Sequence, residues 1–73
     1  MKKMNNCLKL NKELYARKII EEVIKVYSEI CTVHLIDNEE YYDCRFLDTV
    51  MDKEITMKEF EDYLIGLTRK YEY

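Results

Sequence analysis

Apolar residues recur every three or four positions over residues 13–30, and this spacing predicts an amphipathic helix. Charged residues occupy the opposite side of that helix, and Asn11 is the expected N-cap. The apolar stripe consists of Ala16, Ile19, Ile20, Val23, Ile24, Tyr27 and Ile30.

A second helix is predicted over residues 56–71. Thr56 and Glu59 have the spacing of a capping box, and Ile55 and Phe60 have that of a hydrophobic staple. Gly66 lies in the middle of this helix and weakens it by about 1 kcal/mol relative to alanine. Residues 48–55 have no clear pattern and are expected to form a loop, with at most one helical turn over residues 49–52.

Three strands are predicted from β-forming residues. The first covers residues 7–10, and the other two form a hairpin over residues 31–47 whose turn lies at residues 37–40. Alternation divides the hairpin side chains between two faces, and the more apolar face is expected to lie toward the helices. This face carries Cys31, Val33, Leu35, Tyr42, Cys44 and Phe46. The other face then carries Thr32, His34, Ile36, Tyr41, Asp43, Arg45 and Leu47.

The element order β-α-β-β-α predicts an α+β fold with two helices on one face of a three-stranded sheet. A helical crossover makes the first two strands run in the same direction. If the third strand lies between them, every neighbouring pair is antiparallel and the sheet order is 1-3-2. This is a truncated ferredoxin-like fold. The order 1-2-3 is less favourable because it places a parallel pair at an exposed edge.

Composition limits the classes of function. The 73 residues form one small domain, 1–73, of a size at which a single core gives only about 3–5 kcal/mol of stability, so a partner is expected. The net charge is −3 and no basic stripe is present, so nucleic acid is not expected as a partner. No apolar segment has the length of a signal-peptide core or a membrane span, and the expected location is the cytoplasm.

The reactive side chains form no recognisable catalytic or metal motif. Cys7, Cys31 and Cys44 include no Cys-x-x-Cys pair, and His34 is the single histidine, so no metal, cofactor or catalytic residue is predicted. Reduced thiols that act as small apolar residues are the expected state. His34 together with Asp43 or Arg45 is the one group resembling an acid–base site, and an exposed polar cluster is the favoured interpretation.

Two surfaces of the predicted fold remain open to a partner. One is the outer edge of the first strand, with unpaired backbone groups along a segment that has few charges. The other is the sheet face without helices. The first-strand edge with its neighbouring surface is the expected binding surface, and the open sheet face is the alternative. The candidate residues of the two surfaces are Cys7, Leu8, Lys9, Leu10, His34, Ile36, Tyr41 and Arg45.

Several short segments resemble one known family. The strand Leu8-x-Leu10, the segment 14–16, the pair Ile19-Ile20, the hairpin and Phe60-x-x-Tyr63-Leu64 together resemble the small HxsD-like proteins of the His-Xaa-Ser system. The similarity covers residues 8 to about 70. The family often has asparagine in a Phe-x-Asn pattern of its last helix, whereas Glu61-Asp62 follows Phe60 here.

The resemblance implies an accessory protein, encoded beside a radical-SAM enzyme, that helps this maturase to engage a precursor peptide. It implies no chemistry of its own for the chain. The expected function is therefore a non-catalytic binding protein whose partner is a peptide-modifying enzyme, a precursor peptide, or both. The alternative is a structural or regulatory domain that forms a homodimer through the first-strand edge. A small enzyme that uses His34 is the third hypothesis and the least favoured.

Overall fold

The chain forms two helices and three strands in the predicted order. The structure is a computed structural model and describes residues 6–70. The elements are β1 (Cys7–Asn11), α1 (Arg17–Val26), β2 (Cys31–Asp37), β3 (Tyr41–Thr49) and α2 (Lys53–Lys70). The predicted β-α-β-β-α arrangement is confirmed.

The three strands form one antiparallel sheet with β3 in the middle. The order is β1-β3-β2, as predicted. β1 aligns Leu8 with Cys44, and β2 aligns Leu35 with the same Cys44 on its other side. The β2–β3 register shifts by one residue between Thr32 and Val33, where β3 carries a bulge.

Both helices pack on one face of this sheet and share one core. Phe46 of β3 and Phe60 of α2 meet edge to face with ring centroids 5.1 Å apart, and Tyr27 contacts Phe60 at 5.6 Å. The predicted inward face of the hairpin is confirmed, because its members are either buried or packed against the core. The buried apolar residues are Leu10, Ile20, Val23, Cys31, Cys44, Phe46, Phe60 and Leu64.

α1 is shorter than the predicted helix over residues 13–30. The side chain of Asn11 accepts a hydrogen bond from the Glu13 N–H at 2.7 Å, and its carbonyl accepts from Leu14 and Tyr15 at 3.0 Å. These local bonds close a turn before the helix, so the prediction of Asn11 as the N-cap is wrong. Ala16 has the N-cap position and makes no side-chain cap bond.

α2 begins three residues before the predicted start. Asp52 is the cap, because its Oδ1 accepts hydrogen bonds from the N–H groups of Glu54 and Ile55 at 2.9 and 3.2 Å. Thr56 lies inside the helix, where its hydroxyl donates to the Asp52 carbonyl at 2.8 Å. The predictions of a capping box at Thr56 and of a staple from Ile55 to Phe60 are therefore wrong. Tyr71, the predicted last residue of this helix, lies outside the described residues.

Candidate functional site

The outer edge of β1 exposes backbone groups of known direction. The Phe46 N–H donates to the Asn6 carbonyl at 2.8 Å, and the Lys12 N–H donates to the Glu40 carbonyl at 3.2 Å. In an antiparallel pair, every second residue of a strand bonds to the neighbouring strand, so the residues with even numbers face β3. The N–H and C=O groups of Lys9 consequently point away from the sheet.

The side chains of β1 divide between the two faces of the sheet as predicted. Leu10 is buried in the core and Leu8 is half-buried against it. Lys9 is exposed on the opposite face, where its ammonium group lies 5.0 Å from the centre of the Tyr41 ring. A cation at this distance from a ring is attracted to its face. The edge of β1 therefore combines an apolar side beneath the helices with a positively charged side.

The helix-free face carries the other predicted residues in two rows across the strands. His34 of β2 lies opposite Arg45 of β3, and Arg45 lies opposite Cys7 of β1. The structure thus brings together three of the predicted residues, two of them exposed. Because the direct neighbour of His34 across the strand is a cation, His34 has no carboxylate opposite it to act as an acid–base partner.

The second row places Asp43 between Ile36 and Lys9. One carboxylate oxygen of Asp43 is buried and has no hydrogen-bond partner among residues 6–70. The candidate binding residues from the sequence did not include Asp43, although the alternation had placed it on this face and it was named with His34 in the group that resembles an acid–base site. Its charge and its place on the helix-free face were the available signals, whereas its position beside Lys9 follows only from the register.

A shallow cleft lies beyond the C-terminal end of β1. Its volume is about 270 Å³, and the turn after β1 and the last turns of α2 form its walls. The hydroxyl of Thr68 is buried there and has no hydrogen-bond partner in the described part of the chain. Sequence reasoning missed this cleft, because no local pattern brings these two segments together. The lining residues are Leu14, Tyr15, Ile65, Thr68 and Arg69.

The thiols differ in exposure. Cys31 and Cys44 are buried and Cys7 is half-buried, and none of the three is in a disulfide. Burial raises the pKa of the Cys44 thiol to about 12, with smaller contributions from the charges of Asp43 and Cys7. Burial also raises the pKa of Cys31. Both buried thiols therefore remain protonated at neutral pH and serve as apolar side chains.

The described residues contain no group of three or more histidine, cysteine, aspartate or glutamate side chains placed to hold a metal ion. Within residues 6–70, neither helix has the length and apolarity needed to cross a membrane.

Comparisons of the chain with protein families, with curated proteins and with solved structures find no match. The geometry of the two open surfaces is therefore the basis for an assignment of function.

Proposed function

We propose that this protein is a non-catalytic binding module that holds an extended peptide along the outer edge of β1. The observation that carries the proposal is the direction of the Lys9 backbone groups, which point away from β3 at the edge of the sheet. An incoming strand can pair with these groups, and such pairing supplies affinity through main-chain hydrogen bonds. A full ferredoxin-like fold has a strand in this position.

The side chains beside β1 define the kind of peptide that fits. Every second residue of an added strand would extend the apolar layer of Leu8 and Leu10 beneath the helices. The residues in between would lie on the face of Lys9, whose charge favours aspartate or glutamate there. The preferred ligand is therefore an extended segment in which apolar and acidic residues alternate.

The resemblance to HxsD-like proteins suggests the biological source of such a segment. On that basis we infer that the ligand is the precursor peptide of a radical-SAM maturase, and that the protein presents this peptide to the enzyme. The genes next to this one provide a direct check. A radical-SAM enzyme and a short precursor encoded there support the proposal, and their absence favours a structural or regulatory domain.

Binding of selected peptides tests the edge of β1. Peptides from a random display library are selected on the protein, and their affinity is measured by fluorescence anisotropy. Lys9→Pro removes the outward N–H at the centre of β1 and is expected to weaken binding by at least about tenfold. Leu35→Pro is the matched control, because it changes the other edge strand, and it should leave affinity within about twofold. Circular dichroism establishes that both variants are folded.

The open sheet face is the competing location. His34→Ala is expected to leave peptide affinity within a few-fold, because His34 lies on β2, two strands away from the outer edge of β1. A folded Lys9→Pro variant with unchanged affinity, together with loss of binding in His34→Ala, would place the peptide on the face. A library that yields no specific peptide would count against peptide binding altogether.

A further inference from the structure

β2 is the second edge of the sheet, and it is longer than β1. It covers seven residues and pairs with β3 along one side. The Asn38 N–H donates to the Tyr41 carbonyl at 3.0 Å, so residues 34 and 36 also bond to β3. The backbone groups of Val33, Leu35 and Asp37 therefore point away from the sheet.

This edge lacks the usual protection against pairing. Residues 31–36 include no charged side chain, and the side chains of Val33 and Leu35 are only half-buried. Asp37 is the one charge, and Lys12 and Arg17 approach its carboxylate at 2.5 and 3.4 Å. Natural sheets block a free edge with lysine, proline, shortness or a covering element. β2 has seven residues and no lysine or proline, so its outer edge is open to a partner strand.

We propose that a second copy of this chain covers the edge of β2. The two β2 strands would run antiparallel about a two-fold axis, as in most homodimers, and would join the two sheets into one of six strands. This inference concerns a surface separate from the outer edge of β1, where we propose that the peptide binds. Such a dimer would also stabilise a chain whose core has few buried side chains, because a partner that binds only the folded state favours it.

The sequence of β2 selects the position of the two-fold axis. With the axis at His34, Val33 lies opposite Leu35 of the second copy, and Thr32 lies opposite Ile36 of the second copy. Apolar and β-branched pairs of this kind stabilise antiparallel strands. The central pair consists of the two copies of His34.

Neighbouring registers are less favourable. An axis at Leu35 places Asp37 opposite Val33 of the second copy. An axis at Val33 shortens the ladder, because Asp37 then extends past Cys31 of the second copy, where β2 begins, and has no strand residue opposite it. Only the axis at His34, among these three, avoids both arrangements.

Self-pairing of β1 is a poorer alternative. β1 has five residues, and Lys9 lies at its centre. A two-fold axis there would place two ammonium groups directly opposite each other, which destabilises the pair. The charge that favours an acidic peptide at β1 thus disfavours a second copy at the same edge.

Disulfide cross-linking at the axis is the direct test. At an antiparallel pair that lacks mutual hydrogen bonds, the two Cα atoms are about 4.5 Å apart, which a disulfide can span. His34→Cys, in a Cys7→Ser background, should form under mild oxidation a covalent dimer of twice the 9.0 kDa chain mass. Thr32→Cys and Ile36→Cys are matched controls on the same face, and neither should cross-link alone. A mixture of these two controls should cross-link, because they face each other.

Sedimentation equilibrium gives the state of the unmodified protein. A dimer is expected, and Leu35→Pro should weaken its association by at least about tenfold, because a two-fold interface contains the change twice. Lys9→Pro should leave the dimer intact, which is the reverse of the pattern expected for peptide binding. A monomeric wild-type protein, or a His34→Cys variant that cross-links no faster than the controls, would overturn the proposal. Peptide binding at β1 can hold or fail independently of either result.

Discussion

At the scale of single residues, Asp52 and Thr56 show how a helix selects its cap. Both residue types are good N-caps, and both lie close to the start of α2. Thr56 is only 2% exposed, and its hydroxyl donates a hydrogen bond to the Asp52 carbonyl within the same helix. Burial of this side chain against the core moves the start of the helix back to Asp52. The capping-box pattern pointed only to Thr56, whereas the structure has the cap at Asp52.

Asp52 is therefore the residue whose removal should weaken α2. Asp52→Ala leaves the N–H groups of Glu54 and Ile55 without their acceptor and is expected to lower the free energy of unfolding by about 1 kcal/mol. Asp52→Asn retains a side-chain oxygen and is the control, with a change of only a few tenths. Urea denaturation followed by circular dichroism measures both. Equal stability of Asp52→Ala and the wild type would contradict the cap.

The buried thiols give a second prediction at this scale. Cys31 and Cys44 should react with iodoacetamide far more slowly than a peptide thiol, and Cys7 should react faster than either. Mass spectrometry after timed alkylation at pH 8 identifies the labelled residue. Rapid modification of Cys44 in the folded protein would contradict the inward orientation of the hairpin.

Cys44 should also make stability depend on alkaline pH. Its pKa is about 12 in the folded protein, whereas that of an unfolded thiol is about 8.5. Above pH 8.5 the unfolded chain loses a proton that the folded chain keeps, so the contribution of Cys44 to stability falls as the pH rises toward 12. Cys44→Ala lacks this titration, so its stability relative to the wild type should improve between pH 8 and pH 10.5.

At the scale of elements, the existence and order of the five elements followed from the sequence, and their ends did not. The stripe from Ile19 to Tyr27 identified α1 correctly. Its predicted extension failed at both ends, because the Asn11 turn and the bonds from Ile30 and Cys31 to the Tyr27 carbonyl replace helical turns. Such bonds depend on the loop conformation, which apolar periodicity does not describe.

The open surfaces were predictable only in part for a similar reason. Alternation showed which side chains of β1 and β3 share a face, and the sheet order showed that β1 is an edge. The direction of the Lys9 backbone groups depends on which pairs in the β1–β3 register exchange hydrogen bonds. The predicted hairpin and sheet order likewise made β2 an edge, but the direction of its backbone groups again depends on which pairs in the β2–β3 register exchange hydrogen bonds.

Gly66 gives a prediction for α2 as an element. A close approach of another element could have required glycine there, but a Cβ atom added at this position would meet nothing within 4 Å. The residue is exposed and its backbone has no positive φ. Gly66→Ala should therefore raise the free energy of unfolding by about 0.5–1 kcal/mol. Gly66→Pro, at the same exposed position, should strongly destabilise the helix. A loss of stability in the alanine variant would indicate a contact at this position.

At the scale of the whole molecule, one core holds the two open edges in place. The sheet, α1 and α2 each contribute buried side chains, and Phe46 of the central strand contacts Phe60 of α2. β1 and β2 are attached to the molecule through β3 and through this core. Damage to the centre should therefore disrupt both edges, whereas a change at one edge should leave the other in place.

Phe46 and Leu47 allow this dependence on the core to be measured at adjacent positions of β3. Phe46 is fully buried, and its replacement by alanine typically costs about 3–5 kcal/mol, which is comparable to the whole stability expected of a chain this small. Leu47 is 54% exposed at the bulge, so Leu47→Ala should change stability by less than about 1 kcal/mol. Thermal unfolding followed by circular dichroism should show a cooperative transition for Leu47→Ala and little or none for Phe46→Ala. A cooperative Phe46→Ala variant close to the wild type would show that the Phe46–Phe60 contact is not the centre of the fold. Both edges would then require a different source of rigidity.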